Sequence, residues 1–138
     1  MKQQKTLRIL SRIYILFSAA SLLYVSLMAF ASPQAVMDLV QVKLPNPDSY
    51  SSIRGVYGGV GLTIVVMLCR WAFRDERQGV LFLVMLWGFY ALSRLMTLGM
   101  EGPLGDFGTQ WLMTETFLFV TGTVLFVFLQ KAARLARA

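Results

Sequence analysis

Apolar residues run almost unbroken through four stretches of the chain, 13–31, 55–73, 80–98 and 109–130, and polar residues collect between them. Each stretch is close to the ~20 residues a helix needs to cross a hydrocarbon core of ~30 Å. Helices rather than strands are expected, because in lipid each backbone amide must be satisfied within its own segment. The connectors hold helix-breaking residues. Ser32-Pro33 and Pro45-Asn46-Pro47-Asp48 bound the first, Arg74 to Gly79 form the second, and Gly99 to Gly108 form the third. The pattern predicts an all-α protein, a four-transmembrane-helix bundle forming one integral membrane domain over residues 1–138.

The first connector has a pattern of its own. Ser32 is placed to cap a helix that begins at Pro33. Val36, Met37, Val40 and Leu44 then recur at helical spacing against Gln34, Asp38 and Gln41, which predicts a short amphipathic helix in the first external loop. A surface turn with scattered apolar residues is the alternative.

Charge sets the expected orientation. Lys2, Lys5, Arg8 and Arg12 precede the first stretch, Arg70, Arg74 and Arg77 surround the second connector, and Lys131, Arg134 and Arg137 follow the last stretch. The first connector has Lys43 alone and the third has no basic residue. Under the positive-inside rule both termini are expected in the cytoplasm. The basic flanks are expected to meet anionic headgroups of the membrane lipids. A basic tail followed by an apolar run and Ala29-Phe30-Ala31 also fits a cleaved signal peptide, but the run exceeds the usual 7–15 apolar residues and is read as an uncleaved helix.

Composition removes several chemistries. The chain has no histidine, which rules out a Ser-His-Asp triad, a His-ligated zinc site and a histidine acid–base. Its one cysteine, Cys69, has no partner for an internal disulfide or a metal site. No metal or cofactor is expected. The net charge of +6 resides in the helix flanks rather than on a basic face, so no nucleic-acid partner is expected either.

Three charged residues interrupt the apolar pattern. Arg54 stands at the outer mouth of the second stretch. Arg94 lies fourteen residues beyond Val80, about 21 Å from the inner edge, and Glu115 lies six residues into the fourth stretch, about 9 Å from the outer edge. All three fall in the same leaflet, with Glu101 and Asp106 just above. An unpaired charge in hydrocarbon costs at least ~2.5–3.5 kcal/mol, so Arg54, Arg94, Glu115 and Glu101 are expected to form a network opening outward. Tyr57, Trp87, Tyr90 and Trp111 are available as walls. Such a network either fixes helix packing, holds a ligand, or relays protons. Glycines add a packing expectation. Gly55 and Gly59 have the small-xxx-small spacing of close helix contacts, and Gly58 and Gly61 make a second smooth patch.

The string Arg54-Gly55-Val56-Tyr57-Gly58-Gly59, with Arg94, Glu101-Gly102-Pro103 and Glu115, resembles the domain of unknown function 4345 family over nearly the whole chain. Two departures stand out: Ser93-Arg94 occupies the place of a usual Gly-Arg, and Glu101-Gly102 that of an Asp-Gly. The resemblance implies a small bacterial membrane protein of four helices and supplies no activity. Three functions follow from the residues. One is binding of a small amphiphile, lipid headgroup or other anion by Arg54 and Arg94, with Glu115 positioning an arginine. Another is a homo-oligomer or accessory subunit of a membrane complex. The third is an enzyme or carrier using Glu101, Asp106 and Glu115, against which stands the lack of a nucleophile–base pair or phosphate-cradling loop.

Overall fold

Helix caps punctuate the chain where the breaking residues stand. In the computed structural model, which describes residues 2–135, α1 spans Lys2–Ala31, α2 Pro33–Asp38, α3 Pro47–Ile53, α4 Gly61–Arg74, α5 Glu76–Met100 and α6 Asp106–Leu135. A π-helical segment, Arg54–Val60, joins α3 to α4. Arg137, one of the basic residues of the C-terminal flank, lies outside the described residues. Four helical runs are long and apolar enough to cross a membrane: Gln3–Ala31, Pro47–Arg74, Glu76–Met100 and Asp106–Leu135. Only 33%, 22%, 28% and 17% of their most apolar windows are buried by protein. So much uncovered apolar helix surface is disfavoured in water and suited to lipid.

Each run starts earlier than the apolar pattern alone indicates, and at α3 and α5 a cap rather than hydropathy sets the start. Asn46 caps α3 through a reciprocal box with Ser49, and Pro47 takes the first helical position. The second helical run therefore begins at Pro47. Asp75 caps α5 by accepting from the Gln78 N–H at 3.1 Å. At the other end Gly102, at φ 108°, lets the chain leave α5 while its N–H returns to the Thr97 carbonyl at 3.2 Å.

The chain forms two compact units, residues 1–15 with 71–138, and residues 16–70. In the first, α5 and α6 pack along each other, with Val80, Leu83, Trp87 and Ala91 buried on α5 and Leu118 and Gly122 on α6. Tyr14 and Ile15 of α1 are buried as well. Gly88 leaves room for the Phe119 ring, and Gly79 for Ile15 and Trp71. Arg12 is hydrogen-bonded to Glu76 at 2.9 Å and lies over the Phe73 ring at 5.8 Å.

In the second unit Ala29, Val36 and Met37 form a small core, joined by Met28, Leu44 and Ile53. Ser32 caps α2 as its position suggests, accepting from the Ala35 N–H at 3.3 Å. The amphipathic helix is shorter than its pattern. It stops at Asp38, so Val40 is exposed while Leu44 reaches the core through the loop. The stop is a Schellman turn: Gln41 takes φ 60°, and the Val42 N–H returns to the Met37 carbonyl at 3.0 Å. Gln34 braces the turn, donating to Asp38 and Val42 and accepting from the Leu44 N–H.

Candidate functional site

A charged pair deep in an apolar helix couple needs a partner of matching shape, and α5 and α6 supply one. Arg94 Nε donates to Glu115 Oε2 at 2.6 Å, and Arg94 Nη2 donates to Glu115 Oε1 at 2.9 Å. This is the two-pronged guanidinium–carboxylate geometry that gives charge-assisted bonds both strength and orientation. Glu115 is 2% exposed and has both oxygens occupied. The Arg94 side chain keeps 21% of its surface against 3% for that of Glu115. The pair is therefore lopsided: the carboxylate is sealed in and the arginine presents an edge.

Helix phase explains that placement. On α6, Glu115, Leu118 and Gly122 are spaced three and four apart, so the carboxylate sits on the buried stripe that packs against α5. Arg94 follows Ala91 by three residues and lies at the border of the α5 stripe, half-buried. A guanidinium has five N–H donors. Two are spent on Glu115, and no hydrogen bond from the remaining ones to another described residue occurs. Among the described residues no other ion pair of Arg94 occurs.

The remaining expected residues fall in various places. Tyr90 is one turn from Arg94 on α5, exposed, with its ring 6.1 Å from that of Trp87. Trp111 is one turn before Glu115 on α6, half-buried, with its ring 6.2 Å from that of Phe107. Glu101 is exposed at the end of α5, where its N–H closes the helix on the Thr97 carbonyl at 2.9 Å. The carboxylate joined to Arg94 is thus that of Glu115, and α6 beginning at Asp106 sets it about 14 Å from the helix start instead of about 9 Å. Arg54 and Tyr57 belong to the other unit, both exposed in the π-helical segment, and Arg54 Nε donates to the Phe30 carbonyl at 3.2 Å.

The glycines divide between two faces. A Cβ on Gly58 would meet the Phe30 ring at 2.9 Å, and one on Gly61 would strike the Ser26 hydroxyl. Gly55 and Gly59 have nothing within 4 Å. Close packing on α1 thus falls to Gly58 and Gly61. The reason is periodicity: Val65, Leu68 and Ala72 form the buried stripe of α4, and that stripe extended backwards passes through Gly61 and Gly58. The small-xxx-small motif sits on a different face.

Two polar contacts had no sequence signal. Tyr14 Oη donates to the Leu118 carbonyl at 2.9 Å, and Arg12 finds Glu76 sixty-four residues away. Tyr14 reads as one more apolar position in α1, and Arg12 as one more flanking base. Among the described residues no group of three potential metal ligands comes together.

A model of the domain of unknown function DUF4345 matches residues 10–128. The chain belongs to the DUF4345 family. The matched stretch covers Arg94, Glu115 and the whole π-helical segment of this DUF4345 protein. No curated protein and no solved structure matches it. The family description assigns no activity, so the functional reading rests on the Arg94–Glu115 geometry.

Proposed function

We propose that this DUF4345 protein is a multi-pass protein of the inner (plasma) membrane, with both termini cytoplasmic, that binds a small anionic amphiphile at Arg94. The observation that carries the reading is the lopsided burial of the Arg94–Glu115 pair. Glu115 neutralises the guanidinium, which makes its place among apolar helices tolerable, and fixes its plane. The free edge then offers charge-assisted donors where water is scarce and such bonds are strong. A carboxylate, phosphate or sulfate head fits that edge, and the surrounding apolar surface suits a hydrocarbon tail. The distribution of basic residues supports the orientation, which puts Arg94 in the outer half of the bilayer.

Native mass spectrometry of the protein extracted from its membrane tests this. Wild type is expected to retain a bound anionic amphiphile, Arg94→Gln to lose it, and Arg94→Lys to retain a reduced fraction, since an ammonium keeps the charge without the fork. The same adducts on wild type and Arg94→Gln would contradict the proposal.

The open face of Gly55 and Gly59 supports a second reading, an accessory or self-associating subunit of a membrane complex. Val56 and Val60 beside them are exposed, and small residues flanked by β-branched ones let two helices approach closely. Crosslinking in intact membranes is expected to give a dimer or hetero-complex band that Gly59→Leu abolishes. A monomer band alone in wild type would remove this reading.

A further inference from the structure

A cavity rich in charge lies at the other end of α5. It measures about 350 Å³, within the size range of ligand pockets, and Gln4, Arg8, Arg74, Asp75, Glu76 and Arg77 supply its polar lining. A smaller neighbouring cavity of about 230 Å³ shares Arg77 and adds Gln130 and Arg134. Both belong to the unit formed by residues 1–15 and 71–138.

The charges there do not cancel. Glu76 is held by Arg12, and an Asp75 oxygen is occupied in capping α5. Among the described residues no carboxylate makes an ion pair with Arg8, Arg74, Arg77 or Arg134. Arg8 of α1, Arg74 of α4 and Arg77 of α5 therefore line this cavity with a surplus of positive charge, and Arg134 of α6 lines the neighbouring one. Arg77 is steadied by the Phe126 ring, 5.9 Å from its guanidinium carbon. Beneath them Leu7 and Leu129 give an apolar wall.

We infer that this arginine-lined cavity is a second binding site, specific for a phosphate-bearing anion, and that the occupant is the phosphodiester headgroup of an anionic phospholipid. Three arginines lining one space match the multiple oxygens of a phosphate. The cavity stands where apolar helices begin and end, so a headgroup lodged there leaves its acyl chains alongside Leu7 and Leu129. General attraction of basic flanks to a charged surface needs no cavity and no particular arginine; this site needs both. It is independent of the Arg94 reading.

Purified full-length protein in neutral detergent, offered phosphatidylglycerol and phosphatidylcholine together, gives the test by native mass spectrometry. Only adducts that persist in Arg94→Gln are counted, which keeps the two sites apart. Wild type is expected to retain phosphatidylglycerol selectively. Arg8→Gln/Arg77→Gln should lower its retention by about 10- to 30-fold, and Arg8→Lys/Arg77→Lys by less. Lys43→Gln, which removes one charge from the first loop, should change nothing. Millimolar inorganic phosphate identifies the source. Adducts that survive it support the lipid headgroup, whereas displacement by phosphate that itself binds wild type and not the double variant supports the site with free phosphate as occupant. Equal phosphatidylglycerol retention by wild type and the Arg8/Arg77 variants overturns the inference, and so does an equal loss in Lys43→Gln.

Discussion

Glu115→Leu is expected to destabilise the protein by about 3–5 kcal/mol, the cost of leaving a buried charge without its partner. The variant fills the space with an apolar side chain but strands the Arg94 guanidinium among apolar helices. Transfer costs for an arginine at membrane depth, at least ~2.5–3.5 kcal/mol, give a similar figure by a separate route. Arg94 is half-buried and can move part of its head toward the surface, which holds the loss to the lower part of the range. The double variant Arg94→Met/Glu115→Leu removes both charges and is expected to recover most of the loss, because well-packed apolar residues replace buried ion pairs at little cost. Thermal unfolding in detergent measures all three proteins. A loss below about 1 kcal/mol in Glu115→Leu, the size of an exposed pair, would mean that the carboxylate is not sealed between α5 and α6. The double variant also separates stability from binding: it is expected to fold as wild type does and to lose the anionic amphiphile held at Arg94.

The second large effect concerns Gly122. The Leu118 carbonyl accepts the hydroxyl of Tyr14 at 2.9 Å and, one turn on, the helical N–H of Gly122 itself. The hydroxyl lies beside the point where a Cβ on Gly122 would stand. A Cβ there would strike it and would meet the Tyr14 ring and Val84 Cγ2, each at 3.0 Å. Gly122→Val is expected to cost about 2–4 kcal/mol, from overpacking of about 1–3 kcal/mol and loss of a hydrogen bond worth about 0.5–1.5 kcal/mol. Tyr14→Phe alone should cost only about 1 kcal/mol, since the Leu118 carbonyl keeps its helical partner. Together the two changes should cost at least about 1 kcal/mol less than their sum, because the phenylalanine yields the space the valine needs. Strict additivity in a double-mutant cycle would show that Tyr14 and Gly122 do not touch.

Legibility in the sequence followed the range of the forces involved. The four helical runs stand in the order that hydropathy indicates, since length and apolar character are local properties. Ser32 and Pro33 likewise announce α2, because a cap is a contact across three residues. The partner of Arg94 depended on which carboxylate the packing of α5 on α6 brings to its level, and depth alone left both Glu101 and Glu115 in reach. Extending the α6 stripe from Leu118 and Gly122 back to Glu115 is the sequence signal that separates them. The glycines teach the same lesson. Matching Gly55 and Gly59 to a short motif pointed to one face, whereas following Ala72, Leu68 and Val65 backwards leads to Gly61 and Gly58. Tyr14 on Leu118 and Arg12 on Glu76 left no trace in any local pattern, because each joins residues far apart in the chain.

The most direct measurement is a density map of the wild-type protein in nanodiscs of its native lipids, resolved well enough to show side chains at Arg94. Glu115 is expected on one edge of the guanidinium and a non-protein density within hydrogen-bonding distance of the other, extending as a tail along the apolar surface. An empty edge, or one closed by a protein carbonyl or a second carboxylate, would contradict binding at Arg94 and leave Arg94 and Glu115 as a clasp between two helices.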